Sequence, residues 1–398
     1  MKRFLRCAIA LTCLFPATVR AQEPPPVPSS ATEADGLIAE PPQVTRVVLF
    51  ADRHFGKGDL TNGIYLDRGN MIPGAGLSIG PGYRQWFGKD SLFVDASTAV
   101  SINSYRMAQA RVEMPKLLKS RLAVGAHARW QDFQEVAYYG VGAGTVKDDR
   151  SAYAVESNLF GVYATLRPFR WMDIGGEVGW MNPEAEYVKG PLLRGVAEKR
   201  TLVPVEASVT IDTRDFPGHP TQGVFLRGAG MHYSDRTDGS HTFNRYDAEA
   251  AGFLPLFGSR VVLAAHGLLV NTDTAAGRSV PLYLQPSLGG ADTLRSFGDF
   301  RFRDDSLLLA TAEMRLALMT HLDLAMFADA GNVAPQARDL NLDKRSYGAG
   351  LRLHTRRETF AMIDVARGSE GWRFLFRLKD PMQFARLTRK STFVPFVP

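Results

Sequence analysis

The sequence predicts an all-β fold: a closed, antiparallel transmembrane β-barrel of sixteen strands, with one long loop folded inward. Three observations predict it. From about 45 to 380, apolar and polar residues alternate for 8 to 14 residues at a time; this is the period-two pattern of a strand with two different faces. Short and long connections alternate between these segments, as in a barrel with short periplasmic turns and long outer loops. After the N-terminus no window of 18 residues is free of charge, which excludes a helical membrane protein. A soluble β-sandwich would show the same alternation, so the connection lengths decide.

Residues 1–21 read as a cleaved signal peptide. Lys2, Arg3 and Arg6 precede a nine-residue apolar core, Cys7 to Phe15, and Val19-Arg20-Ala21 offers a small-x-small cleavage site. A core that short cannot span a bilayer. The segment holds four of the 47 basic residues, so 43 remain against 41 acidic ones, and the overall charge of +6 falls to +2. The basic pI of 9.3 is therefore no nucleic-acid footprint, and no nucleic-acid partner is expected. Both cysteines, Cys7 and Cys13, leave with the signal, which removes disulfide and thiol chemistry. Residues 22–44 follow as a Pro-rich linker. The barrel occupies 45–380, and 381–398 form a C-terminal tail.

Within the barrel the first strand lies at 46–54 or 60–69, and the next at about 73–87. Short turns fall near 87–90, 116–119, 167–170, 256–259, 319–321 and 355–358. Long connections fall at about 134–150, 184–199, 234–242, 272–304 and 331–344. Five strands follow the longest loop, at 305–318, 322–331, 344–355, 357–367 and 371–379. The alternation is clear in Val205 to Asp212, where Val, Ala, Val, Ile oppose Glu, Ser, Thr, Asp. Parity then requires sixteen strands with both ends periplasmic.

Little in the chain suggests catalysis. Gly76-Leu77-Ser78-Ile79-Gly80 matches the G-x-S-x-G of a nucleophile elbow, but it sits in a Gly-rich alternating strand with no helix signal after it. The eight histidines are scattered, with no H-E-x-x-H and no cysteine partners, so neither a metal nor a cofactor is expected. Tyr138-Tyr139 at a loop entrance reads as part of an interfacial aromatic girdle.

Five motifs carry more information. Asp212-x-Arg214-Asp215 precedes a Pro/Gly turn ending at Gly223, where paired charges can lock the turn at the rim. Glu313-x-Arg315 lies on a strand. Leu294-Arg295-Ser296-Phe297 stands midway along the 272–304 loop. Phe327-x-Asp329-x-Gly331 has its three residues on one face, and the apolar Leu324, Met326 and Ala328 on the other face force it inward. A carboxylate there wants a cation, and an inward-folded loop would bring Arg295 to Asp329 for bidentate pairing. Ser369-x-Gly371-x-x-Phe374-x-Phe376 fits a terminal-strand assembly signal.

Together and in order, these motifs resemble the BamA/TamA-like bacterial surface antigen family, the outer-membrane protein-assembly superfamily. The match is good over 200–380 and weaker over 45–200. The resemblance implies a 16-stranded barrel in which the sixth outer loop folds inside and its Arg, here Arg295, meets the strand Asp, here Asp329. Ser296 stands where the family usually has Gly. Residues 22–44 cannot hold a POTRA domain, so a barrel-only member is expected. The resemblance implies assistance in inserting or secreting proteins or lipids. The implied partners are outer-membrane lipid (lipopolysaccharide or phospholipid), client proteins or a periplasmic partner. The alternative is a passive pore or structural barrel without insertase activity.

Overall fold

A computed structural model describes residues 36–55, 62–69, 71–193 and 196–378. The signal peptide, most of the linker and the tail lie outside them. The first described element is a helix, α1 (Pro42–Phe55). The strands are β1 (Gly63–Gly69), β2 (Ser78–Phe87), β3 (Leu92–Ser101), β4 (Arg106–Lys116), β5 (Leu122–Tyr138), β6 (Ser151–Phe169), β7 (Met172–Met181), β8 (Glu184–Lys189), β9 (Ala197–Lys199), β10 (Leu202–Asp212), β11 (Gly223–Asp235), β12 (Phe243–Leu256) and β13 (Val261–Thr274). After these come β14 (Ser287–Leu288), β15 (Phe302–Arg303), β16 (Ser306–Met319), β17 (Leu322–Ala334), β18 (Lys344–His354), β19 (Thr359–Gly368) and β20 (Gly371–Arg377).

All but β14 and β15 belong to one antiparallel sheet of 18 strands, and those two form a small hairpin of their own. Each strand pairs with its neighbour in sequence, except that β8 pairs with β6 beyond β7, β7 meets β10 and β13 meets β16. The pattern is an up-and-down meander, the topology that needs only hairpin connections.

The sheet is inside out relative to a soluble protein. On β10 the exposed row includes Val205 and Val209, while Glu206, Ser208, Thr210 and Asp212 are at most 6% exposed. On β20 Phe374 is 80% exposed and Arg377 is 1% exposed. Exposing apolar side chains costs roughly 25 cal/mol per Å² in water. The arrangement is stable only if lipid meets the outer row, which is how a transmembrane barrel sheet is patterned. No helix among the described residues is long and apolar enough to cross a membrane.

Two expectations need correction. The segment 46–54 is helical and falls within α1; the first strand is β1, inside the other candidate, 60–69. The apolar residues Val44, Val47 and Val48 recur at helical spacing, and alternation there is an accident of composition. The 184–199 connection also contains two short strands, β8 and β9, which extend the β6 edge beyond β7.

Just before α1, the backbone N–H groups of Leu37 and Ile38 donate to the carbonyls of Ala317 and Leu318. Glu40 accepts from the His321 backbone at 2.8 Å and lies 2.8 Å from its Nδ1. Burial pushes the Glu40 carboxyl up, but hydrogen bonds from Thr45 and His321 outweigh it and hold it below the ordinary carboxylate range. The entry segment is thus tied to the short turn between β16 and β17.

Candidate functional site

The connection between β13 and β16 is the longest in the described chain, and it is buried. Tyr283, Leu284, Leu288, Leu294, Phe297 and Phe302 are each at most 3% exposed. The β14–β15 hairpin pairs Ser287 with Arg303 and Leu288 with Phe302. Gly289 and Gly290, at φ +111° and +106°, turn the chain back, and a Cβ on Gly289 would sit 2.2 Å from the Gly298 carbonyl oxygen. Only glycine fits both constraints. A loop of this length, packed as a core, needs polar anchors for its backbone.

Those anchors are charged. Arg295 Nε and Nη2 donate to the two Asp329 oxygens at 2.9 and 2.7 Å, a bidentate fork. Its backbone N–H also reaches Asp329, and Nη1 donates to Glu313 at 3.1 Å. The guanidinium carbon lies 3.3 Å from the centre of the Phe327 ring, a cation–π contact. Glu313 also accepts from Arg352 at 3.0 Å, and Asp364 accepts from both Arg352 (2.5 Å) and Arg377 (2.6 Å). The result is an alternating chain of three carboxylates and three guanidiniums, neutral as a unit and at most 5% exposed at every residue. Isolated charges at such depth would be costly; here each one has a partner.

The loop tip is tied to further strands. Arg377 donates to the Ala291 carbonyl and Arg373 to that of Phe297. Ser296 donates its backbone N–H to Ser346 at 2.9 Å, and the two hydroxyls lie 2.6 Å apart. A Cβ on Gly368 would sit 2.1 Å from the Ser296 hydroxyl. Ser296 is therefore accommodated by a glycine on β19. Gly331 lies on β17 beside Leu288, which its missing side chain leaves room for. Leu294 is fully buried.

The remaining motif residues lie elsewhere. Asp212 and Arg214 pair at 2.9 Å and pack on Phe225 at the end of β10. Asp215 accepts from the Thr221 backbone (3.0 Å) and hydroxyl (2.6 Å), closing the turn. Arg315 does not join Glu313; it reaches the Pro220 carbonyl of that turn. Ser369 lies in the turn before β20, and Gly371 opens the strand at φ +109°. Phe374 and Phe376 face outward.

The Tyr138–Tyr139 reading is overturned. Tyr139 is 8% exposed and stacks under Arg301, and Tyr138 faces Arg303. They line the inward loop, not a girdle. Sequence reasoning also missed Arg352, Asp364, Arg377 and Ser346. Each occupies the inward row of its strand, and a charged residue in that row is the signal that would have found them.

No curated protein sequence matches this chain. Among solved structures it is similar to BamA from Haemophilus ducreyi lacking POTRA domains 1–3, with TM-score 0.61 and 14% identity over 80% of this chain and 69% of that one. It is also similar to CdiB from Acinetobacter baumannii (TM-score 0.51, 13% identity, 79% of this chain and 58% of that one) and CdiB from Escherichia coli (0.54, 14%, 78% and 61%). The chain thus spans less than two thirds of either CdiB. At such identity the likeness is one of fold. The family model of the Omp85 superfamily domain matches residues 86–356, a stretch that runs from the end of β2 to just past β18 and includes the inward loop, and by that match the chain belongs to the Omp85 superfamily.

Proposed function

We propose that this protein is an outer-membrane barrel that assists the insertion or secretion of proteins or lipids. The sheet is read as closed and sixteen-stranded. Counting β7 with β8 and β9 with β10 as single interrupted strands reduces the 18 of the sheet to sixteen, with β1 and β20 as the seam. The observation that carries the reading is that seam. β1 and β20 have seven residues each, and among the described residues no ladder joins them. An unpaired strand edge in lipid leaves backbone groups unsatisfied, so these edges must meet each other or a third strand. A client strand is such a third partner.

The buried loop argues against a passive pore, because it fills space that conduction would need. Arg295 and Asp329 act as the anchor of that loop, and Ser369, Gly371, Phe374 and Phe376 as the assembly signal of the last strand. Outer-membrane lipid surrounds the apolar row, and client proteins or a periplasmic partner meet the short-turn end.

Two results are expected. On a semi-native gel the unboiled protein should migrate differently from the boiled one; identical mobility would exclude an integral barrel. In liposomes, the protein should speed the folding of a urea-denatured outer-membrane barrel over protein-free vesicles. Cysteines placed in β1 and β20 should abolish the gain when oxidised and restore it when reduced. Activity that persists with the seam locked would overturn the insertion reading, and ion conduction without client folding would favour the pore.

A further inference from the structure

Two arginines face outward at the long-connection end of the last three strands. Arg345 is the second residue of β18 and Arg367 the ninth of the ten residues of β19, and both are exposed. In register, Tyr347, Arg367 and Trp372 stand side by side across β18, β19 and β20. Arg345 is the diagonal neighbour of Arg367 on the same face, roughly 7–8 Å away. Tyr347 is 56% and Trp372 61% exposed. The Arg367 guanidinium lies over the Trp372 ring, 5.2 Å from its centre. Arg345 Nε donates to the Leu342 carbonyl at 3.1 Å. Among the described residues no carboxylate pairs with either arginine, and Glu370, in the turn beside Trp372, is held by Arg301 at 2.7 Å.

The strand sets the level of these charges. A tilted membrane strand crosses in about 9–11 residues, and the outward row of β19 runs through Ala361, Ile363 and Val365 before it reaches Arg367. A guanidinium there stands where hydrocarbon gives way to lipid headgroups, a level that tyrosine and tryptophan also favour. Beneath it lies an open apolar groove of about 770 Å³. Ala312, Ala328 and Ala349, small residues of β16, β17 and β18, form its floor, and Tyr347 and Trp372 form its upper end. Two like charges side by side repel. An anion between them turns that repulsion into attraction, and the planar fork of a guanidinium matches the oxygens of a phosphate.

We infer that Arg345, Arg367 and Trp372 hold a phosphate of lipopolysaccharide, whose acyl chains lie in the groove beneath. The inference rests on the outer-membrane reading above and gives it one specific lipid contact. Long connections place this end of the strands outside, and the phosphate-bearing lipid of the outer leaflet is lipopolysaccharide. The groove reaches from β16 to β20. At about 4.7–4.9 Å per strand that breadth takes more than one acyl chain. The outward arginines are separate from the loop anchor: on the same strands Arg352, Arg373 and Arg377 point inward, to Asp364 and to the carbonyls of the loop tip. Replacing the outward pair therefore leaves the interior charge balance unchanged.

The test uses the full chain in non-ionic detergent, titrated with diphosphorylated lipid A and read by native mass spectrometry. The wild type should retain a single tightly held lipid A. Arg367→Gln should weaken binding about tenfold or more, the effect of losing one charge-assisted contact, and Arg345→Gln combined with it should weaken binding further. Arg338→Gln, which removes an exposed arginine from the connection between β17 and β18, should bind as wild type. Dephosphorylated lipid A should bind the wild type only as weakly as lipid A binds the double variant. Heat-modifiable migration is followed for every sample. No shift in the wild type removes the barrel reading itself, whereas a shifted wild type that holds no lipid A removes the site alone. Arg367→Lys replaces any glutamine variant that fails to fold, and it should also weaken binding, because an ammonium lacks the fork. Unchanged affinity in the folded double variant overturns the site, as does an equal loss in Arg338→Gln. Displacement by inorganic phosphate, or equal binding of phosphatidylglycerol, overturns lipopolysaccharide as the ligand.

Discussion

Arg295→Ala and Asp329→Ala are each expected to release the inward loop, and the double variant should be harmed less than the sum of the two. The side chains of this pair are 3% and 0% exposed, so it belongs with buried ion pairs, not with surface bridges of about 0–1 kcal/mol. Removing one partner of a buried pair typically costs about 3–5 kcal/mol, because the other charge stays in place without its counter-ion. The network sharpens this. Three carboxylates and three guanidiniums balance. Arg295→Ala leaves one negative charge in excess, Asp329→Ala one positive, and the double variant none. The coupling should therefore reach about 0.5–3 kcal/mol, the range for residues in one network. The readout is labelling of single cysteines placed in 286–303 in intact cells. The chain's only cysteines are Cys7 and Cys13, so cleavage of the signal would leave no background. Single variants as protected as wild type, or strictly additive effects, would show that the hydrophobic packing of Leu294, Phe297 and Phe302 holds the loop unaided.

Replacing both Phe374 and Phe376 with Ser should sharply lower the amount of protein in the outer membrane. They are 80% and 49% exposed on the apolar row, and each is worth about 1.5–3 kcal/mol when fully transferred from water to an apolar medium. Leu at both positions keeps most of that transfer energy and removes the aromatic rings. If the Leu pair assembles normally while the Ser pair fails, lipid transfer governs. If both fail, the rings are read as a signal. Wild-type levels of the Ser pair would exclude both roles.

Much of this fold is legible in period two. The five strands expected after the long loop begin within two residues of those observed, because a lipid-facing row and a polar inner row leave opposite marks on alternate residues. The inward direction of Asp329 follows the same way from Met326 and Ala328. Loop lengths were less legible. β5 runs to Tyr138 and β17 to Ala334, beyond the ends that alternation suggests. At such an end the strand meets the packed loop, as Tyr138 meets Arg303, so the ladder continues while the pattern that announces it stops.

What the sequence determined by itself is the kind of surface each strand has, and so the class of fold and the facing of single residues. Those follow from local chemistry: each side chain chooses lipid or interior, and the pleat converts that choice into a period. What only the tertiary structure decided is which inward residues meet. Glu313 and Arg315 share a row two residues apart, yet one joins Arg295 and Arg352 while the other reaches the 213–222 turn. Asp364 and Arg377 meet through the register of β19 on β20. His219 and His354 come together because a turn between two strands folds under the ends of others. Such meetings depend on stagger, curvature and the path of a loop through the interior. These are properties of the whole sheet, and no single strand encodes them.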